Sequence, residues 1–278
     1  MRETGKTDPQ PETPDLSTAK PAVRERYLFA LDTALRAGRI LNRAFHGSVA
    51  VCYKSEVDPV TDADIESERY ISSAIRERFT TDDIIAEELS AEAETGEVFW
   101  LVDPLDGTVN FSHGLPWFAV SIACAMKGKV VVGVVHAPVT GWTFSAAEGH
   151  GAWLNGAPIH VSDSKQMRRS IIATGFPYDR VRTRRNFSEH ERVLLAAQDV
   201  RRMGSAAIDI CMTAMGAFDG YYEFGLGPWD FAAGSLVARE AGAVDSQPDG
   251  SPVNIIGDKY LCSNPNIHRE LVALVSGE

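Results

Sequence analysis

Cysteine is scarce: four occur in 278 residues, at Cys52, Cys124, Cys211 and Cys262, widely separated and with no C-x-x-C pair. That argues against zinc ribbons and thioredoxin-type redox sites, and for a reduced, cytoplasmic protein. Long apolar runs are missing too. The stretch Val130–Val139 is too short to span a bilayer and contains His136 and Pro138, and the N-terminus lacks the apolar core of a signal peptide. No membrane association is expected. Positive charge is in deficit, with 27 Lys and Arg against 38 Asp and Glu and a net charge of -11. A general nucleic-acid binder needs a basic face, so no nucleic-acid partner is expected. The seven histidines show no H-x-x-x-H spacing, there is no G-x-x-x-x-G-K-[ST] loop, and Ser205 follows Gly204 without a G-x-S-x-G elbow. Zincin, P-loop and serine-hydrolase chemistry are thereby set aside. An EF-hand read from Asp62 fails, because its sixth position is Ser67 and its twelfth Ser73.

What remains is an ordinary globular composition, 44% hydrophobic and 23% charged. A chain of this length buries roughly three quarters of its unfolded surface without a disulfide or metal staple. Residues 1–20 are polar and hold three prolines, and are expected to form a disordered tail. Val23, Tyr27, Ala30, Leu31, Ala34, Leu41 and Phe45 recur at helical spacing and predict a helix over 22–45, with Gly38 inside it. A second helix is expected over 64–79. Two short apolar runs follow, 83–86 stopping at Glu87 and 98–102 stopping at Asp103, the latter apolar on both faces as in a strand covered on both sides. Residues 118–161 read as an antiparallel meander, with Asn155-Gly156 as a tight hairpin. Beyond about 162, strands (170–174, 220–222) alternate with helices (189–197, 205–215, 231–241). The segment 180–192, with five arginines, reads as a solvated helix and loop. Three parts result: the tail 1–20, an N-terminal α+β half over 21–160, and a C-terminal α/β half over 161–278.

Acidic residues gather where these elements end: Glu87 and Glu88 after one strand, Asp103 and Asp106 after another, Asp230 at the start of a helix. In open α/β sheets such positions bind ligands. In Asp103-Pro104-Leu105-Asp106-Gly107-Thr108 the proline stiffens the turn, Asp106-Gly107 is a turn pair, and Thr108 is an N-cap candidate for a short helix. Taken alone this is either a polar turn capping its own backbone or a pair of carboxylates aimed at a hard divalent cation, with helix-start amides suited to phosphate. Asp230 is likewise either a plain N-cap or a cap whose second oxygen is left for a metal. The stretch 58–64 is a third acidic turn before a helix.

The strings DPLDGTVNF and PWDFAAG, with VTDAD and AEE before them, stand in the order and separation that resemble the inositol monophosphatase family over about residues 25–270. The resemblance implies a layered αβαβα sandwich, of the type shared with fructose-1,6-bisphosphatases. It implies a Mg²⁺-dependent, lithium-sensitive phosphomonoesterase that hydrolyses inositol monophosphate, with two or three Mg²⁺ per subunit and a homodimeric assembly. Glu87, Asp103, the carbonyl of Leu105, Asp106 and Asp230 would hold the metals, with Asp103 bridging two of them. Asp64 and Thr108 would orient and deprotonate the attacking water, and Glu87 joins them as a catalytic residue. Gly107 and Thr108 would offer amides to the phosphate, and Leu105, Asp106 and Asp230 also border the substrate. Gly204, Ser205, Ala206 and Glu223 would meet the polyol hydroxyls, and Lys54 would lie near the metals. One departure stands out: the glutamate pair sits between Ala86 and Leu89, where the family usually has Gly and then Ser or Thr. Histidinol-phosphate, fructose-1,6-bisphosphate and 3'-phosphoadenosine 5'-phosphate are the rival substrates. A carboxylate at Glu223 suits a neutral polyol better than a second phosphate. A non-catalytic interaction protein on the same scaffold is the alternative of another class.

Overall fold

The computed structural model describes residues 14–47, 51–55, 58–88, 96–178 and 180–277, with the backbone alone at 51–55, 58, 180 and 182. In chain order the elements are α1 (Pro21–Phe45), the hairpin β1 (Val51–Ser55) and β2 (Asp58–Thr61), α2 (Asp62–Arg78), β3 (Asp83–Ala86), β4 (Val98–Asp106) and α3 (Thr108–Ser112). Then come β5 (Ala119–Met126), β6 (Lys129–Ala137), β7 (Trp142–Ala147), β8 (Ala152–Leu154), β9 (Ala157–Ile159), β10 (Ile171–Thr174), α4 (Arg180–Thr183), α5 (Phe187–Ala196) and β11 (Asp199–Arg201). The chain closes with α6 (Ala206–Ala214), β12 (Gly220–Phe224), α7 (Pro228–Glu240), β13 (Val244–Ser246), β14 (Lys259–Ser263) and α8 (His268–Ser276).

The first large sheet has seven strands in sequential order, β3 to β9, with β3 and β4 parallel and the rest antiparallel. Asn155 and Gly156 both take positive φ in the two-residue turn between β8 and β9, as the hairpin signal requires. The second sheet has five strands in the order β11-β10-β12-β14-β13. Helices α1 and α2 cover one face of the seven-stranded sheet, α6 and α7 lie between the two sheets, and α5 and α8 cover the outer face of the five-stranded one. The order is therefore helix, sheet, helix, sheet, helix.

Alternation along the strands explains the layering. Phe99 and Leu101 of β4 face the middle helices, whereas Trp100 and Val102 face α1 and α2. On β5 the inner face carries Ala119, Ala123 and Ala125, and the outer face Val120, Ile122 and Cys124. Small residues on the inner face let α7 approach closely: a Cβ built on Gly133 of β6 would come within 2.5 Å of the Ala233 carbonyl. Ala233 is the small residue of α7 at that contact, while Gly234 lies against Ile210 of α6.

Of the segment expected as a disordered tail, residues 14–20 pack on the body instead. Leu16 is buried and its carbonyl closes a turn with the Ala19 amide at 3.1 Å. One apolar side chain in a polar segment found a place in the core beside α1. Residues 1–13 lie outside the described ones.

Candidate active site

Glu87, Asp103, Asp106, Glu223 and Asp230 line one cavity of about 220 Å³, together with Leu105, Gly107, Thr108, Gly204, Ser205 and Ala206, while Asp64 is fully buried outside its lining. β3 ends one residue before Glu87. β4 does not stop at Asp103 as expected. Its ladder with β5 breaks between Asp103, opposite Ser121, and Asp106, opposite Ala119, and the strand runs on through this irregularity. Pro104 supplies no N–H, so the break falls where a ladder bond is already missing. Gly107 then takes a φ of 98°, and it, not Thr108, is the N-cap of α3. A Cβ on Gly107 would also come within 2.9 Å of the Trp117 carbonyl, so the position is closed to other residues twice over.

Released from capping, the Thr108 hydroxyl lies 3.1 Å from Asp64 Oδ1 and 3.0 Å from the Leu105 carbonyl. The other oxygen of Asp64 is held by the Thr61 amide at 2.8 Å and the Thr61 hydroxyl at 2.5 Å, a capping box that fixes the carboxylate at the head of α2. Burial raises Asp64 above the ordinary carboxylate value against the pull of these donors.

Asp103 and Asp230 share a pattern. Asp103 Oδ1 accepts from the Leu105 amide at 2.9 Å, and Asp230 Oδ2 from the Gly227 amide at 2.7 Å. Neither second oxygen takes a hydrogen bond from any described residue. Asp230 was expected as an N-cap; Gly227 fills that position, Pro228 opens the helix, and Asp230 reaches back from the third helical position. Asp106 ties the two halves together: Oδ2 accepts from the Ser205 hydroxyl at 2.5 Å and the Ala207 amide at 2.8 Å, and Oδ1 from the Ala206 amide at 3.2 Å. A carboxylate at the start of α6 also suits the helix dipole.

Burial, then the charges of Glu87, Asp106 and Asp230, holds Asp103 well above the usual carboxylate range. Burial and the charge of Glu87, ahead of Asp106, do the same to Asp230. Among the described residues no three His, Cys, Asp or Glu are drawn into a ready-made metal cage. The acids nevertheless fit a hard cation: the donors are all oxygen, the carboxylates of Asp103 and Asp230 each have an oxygen to spare, and their mutual repulsion is relieved by a positive ion.

Glu223, on β12, is pushed up to about 7 by burial, and its carboxylate lies against the Cα of Gly175 and accepts from the Tyr221 hydroxyl. Asn110 Nδ2 stands within 2.8 Å of the Trp117 carbonyl, 2.9 Å of that of Met203 and 3.2 Å of that of Gly204, which fastens the phosphate-side turn to the loop before α6. Asp209 joins the site without belonging to any of the acidic turns. It is buried, lines the cavity and accepts from Trp117 Nε1 at 3.1 Å. Its signal was an acid inside the apolar run Ala206–Cys211. Lys54 lies in β1, but its side chain falls outside the described residues.

A profile of the inositol monophosphatase family matches residues 22–277. The chain belongs to that family. An inositol-1-monophosphatase from Synechocystis sp. is 43% identical over 216 residues, covering 77% of this chain and 75% of that protein. A Nus factor SuhB from Pasteurella multocida is 36% identical over 247 residues, covering 87% and 92%. The solved structure of an inositol monophosphatase from Anabaena (Nostoc) sp. superposes with a TM-score of 0.84 at 35% identity, covering 92% and 97% of the two chains. The family is one of metal-dependent phosphatases, and the αβαβα layering is its fold. Among the described residues no helix is long and apolar enough to cross a membrane.

Proposed function

We propose that this chain hydrolyses phosphate monoesters of polyols, with inositol monophosphate as the preferred substrate, releasing the alcohol and inorganic phosphate. The observation that carries the reading is the Thr108 hydroxyl, on the wall of a cavity that Glu87, Asp103, Asp106 and Asp230 also line, 3.1 Å from the buried carboxylate of Asp64. Those four acids and the Leu105 carbonyl would hold Mg²⁺, two or three ions per subunit. Bound there, the ions would supply the positive charge that lets an acidic pocket accept a phosphate dianion, and would lower the pKa of a water toward neutrality.

The chain's own residues do the rest. Asp64 would accept the water's proton, and the Thr108 hydroxyl, 3.1 Å from its Oδ1, holds the carboxylate in place. The amides at Gly107 and Thr108 face the phosphate. Gly204, Ser205, Ala206 and Glu223, all on the cavity lining, would meet the polyol, with Asp106 and Asp230 bordering it. With a metal-activated water as the nucleophile, no covalent phosphoenzyme is needed.

Around this site we place a division of the chain near residue 160, a cytoplasmic location and a homodimer. Exposed apolar side chains at Val181, Leu194 and Leu195 support the last. A second reading comes from the relatives named as Nus factors: a protein of this fold acting through an interaction surface rather than by turnover.

The test is phosphate release from inositol-1-phosphate, histidinol phosphate, fructose-1,6-bisphosphate and 3'-phosphoadenosine 5'-phosphate, with Mg²⁺ and with EDTA. Mg²⁺-dependent, lithium-sensitive release that is greatest on inositol-1-phosphate is expected. A folded protein inert on the whole panel would overturn the proposal in favour of the second reading. Light scattering of the eluting protein checks the dimer.

A further inference from the structure

Helix α2 presents three buried polar side chains, Asp64, Ser67 and Glu68, at positions i, i+3 and i+4, which share one helix face. Each reaches a different segment of the site. Asp64 meets the Thr108 hydroxyl of α3. The Ser67 hydroxyl donates to the Pro104 carbonyl at 3.0 Å. Glu68 Oε2 accepts from the Glu88 amide at 2.7 Å.

The two latter contacts fall where the sheet itself no longer fixes the chain. β3 ends at Ala86, so the amide of Glu88 lies past the last paired residue. Pro104 sits in the break between the β4–β5 pairs at Asp103 and Asp106. In both places α2 supplies the partner that a neighbouring strand supplies elsewhere. Glu87 adjoins one contact, and Asp103 and Leu105 flank the other. A fully buried carboxylate is costly to keep, and a residue of the same shape without charge would pack as well.

We propose that Glu68 and Ser67 are positioning residues of the reaction centre. They hold Glu87 and the Asp103–Leu105 turn at a fixed spacing from Asp64, and so set the affinity for divalent cations. The inference rests on the reading of these acids as the cation site, and it deepens that reading by assigning two residues that touch neither cation nor substrate.

The test uses Mn²⁺ binding to the full-length protein, followed by the electron paramagnetic resonance of free Mn²⁺, with urea unfolding measured in parallel without metal. Glu68→Gln keeps an acceptor oxygen in the same shape, whereas Glu68→Met keeps the volume without the acceptor, and Ser67→Ala removes the other contact. Glu68→Met is expected to weaken Mn²⁺ binding by ~10–100-fold, the scale for residues that orient metal ligands. Glu68→Gln is expected to stay close to the parent protein, and Ser67→Ala to fall between them. Parental Mn²⁺ affinity in Glu68→Met, or equal losses in the Gln and Met variants, would overturn the proposal. Should Glu68→Met fail to fold, Ser67→Ala decides, since an unchanged affinity there also overturns it. A parent protein that binds no Mn²⁺ sinks the inference outright. A parent that binds Mn²⁺ but releases no phosphate from any ester sinks the proposed function alone, and the binding series still judges the positioning.

Discussion

Single residues in this protein carry opposed demands of stability and chemistry. Asp103 is buried among acids that raise its pKa, so its charge opposes folding whenever no cation is bound. Asp103→Asn is expected to leave the metal-free melting temperature equal or higher while phosphate release falls by at least ~10²–10³-fold. A variant with normal turnover would contradict the assignment. His136, which does not line the cavity, makes a separate case. Its Nδ1 lies 2.9 Å from the Thr143 hydroxyl, and burial lowers its pKa from 6.5 to about 4. The unfolded chain takes up the proton below about pH 6.5, whereas the folded chain resists until about 4. The stabilisation is therefore whole above pH 6.5 and is lost as the pH falls toward 4, by about 3 kcal/mol at most. His136→Gln should shrink the difference in urea-unfolding free energy between pH 7.5 and 4.5 by much of that amount; an unchanged difference would refute it.

Elements are where sequence and structure can be compared most closely. Gly38 lies mid-helix in α1, and a Cβ there would come within 2.3 Å of the His136 ring. Gly38→Ala gains helix propensity of up to ~1 kcal/mol but overpacks the helix–sheet contact at a cost of about 1–3 kcal/mol. A net loss in urea unfolding is expected, shrinking when His136 is also replaced by Ser. Helical periodicity made α1 and α2 legible, a short apolar run marked β3, and the Asn155-Gly156 turn pair marked the β8–β9 hairpin. The ends were harder. Thr108 and Asp230 both look like caps, yet Gly107 and Gly227 take those positions and leave the two polar side chains to the cavity. Cap preference is a local rule, and at this site the tertiary arrangement overrides it. β13 and β14 went unread, as they find their partners only within the second sheet. The acid set was legible from its motifs. Ser67 and Glu68 were not, since a buried polar pair inside a helix takes its meaning only from what it touches.

At the scale of the whole molecule, the middle layer decides behaviour. One cluster of buried side chains joins Phe99, Leu101 and Phe144 of the first sheet to Tyr221, Tyr260 and Cys262 of the second through α6 and α7. Asp106 fastens the same two parts by hydrogen bonds. The two halves are therefore expected to unfold together, with coincident near- and far-ultraviolet dichroism transitions and a single calorimetric peak. Two separated peaks would show that the shared layer does not couple them.

That shared layer also has a consequence for biogenesis. The helices that cover the inner face of the seven-stranded sheet come after it in the chain, ending at Glu240. A nascent chain leaving the ribosome from its N-terminus therefore completes every strand of that sheet while Phe99, Leu101, Val135 and Phe144 still lack their cover. Translation that halts between Ile159 and Ala206 yields a half-clad sheet, a client for chaperones or proteases rather than an independent module.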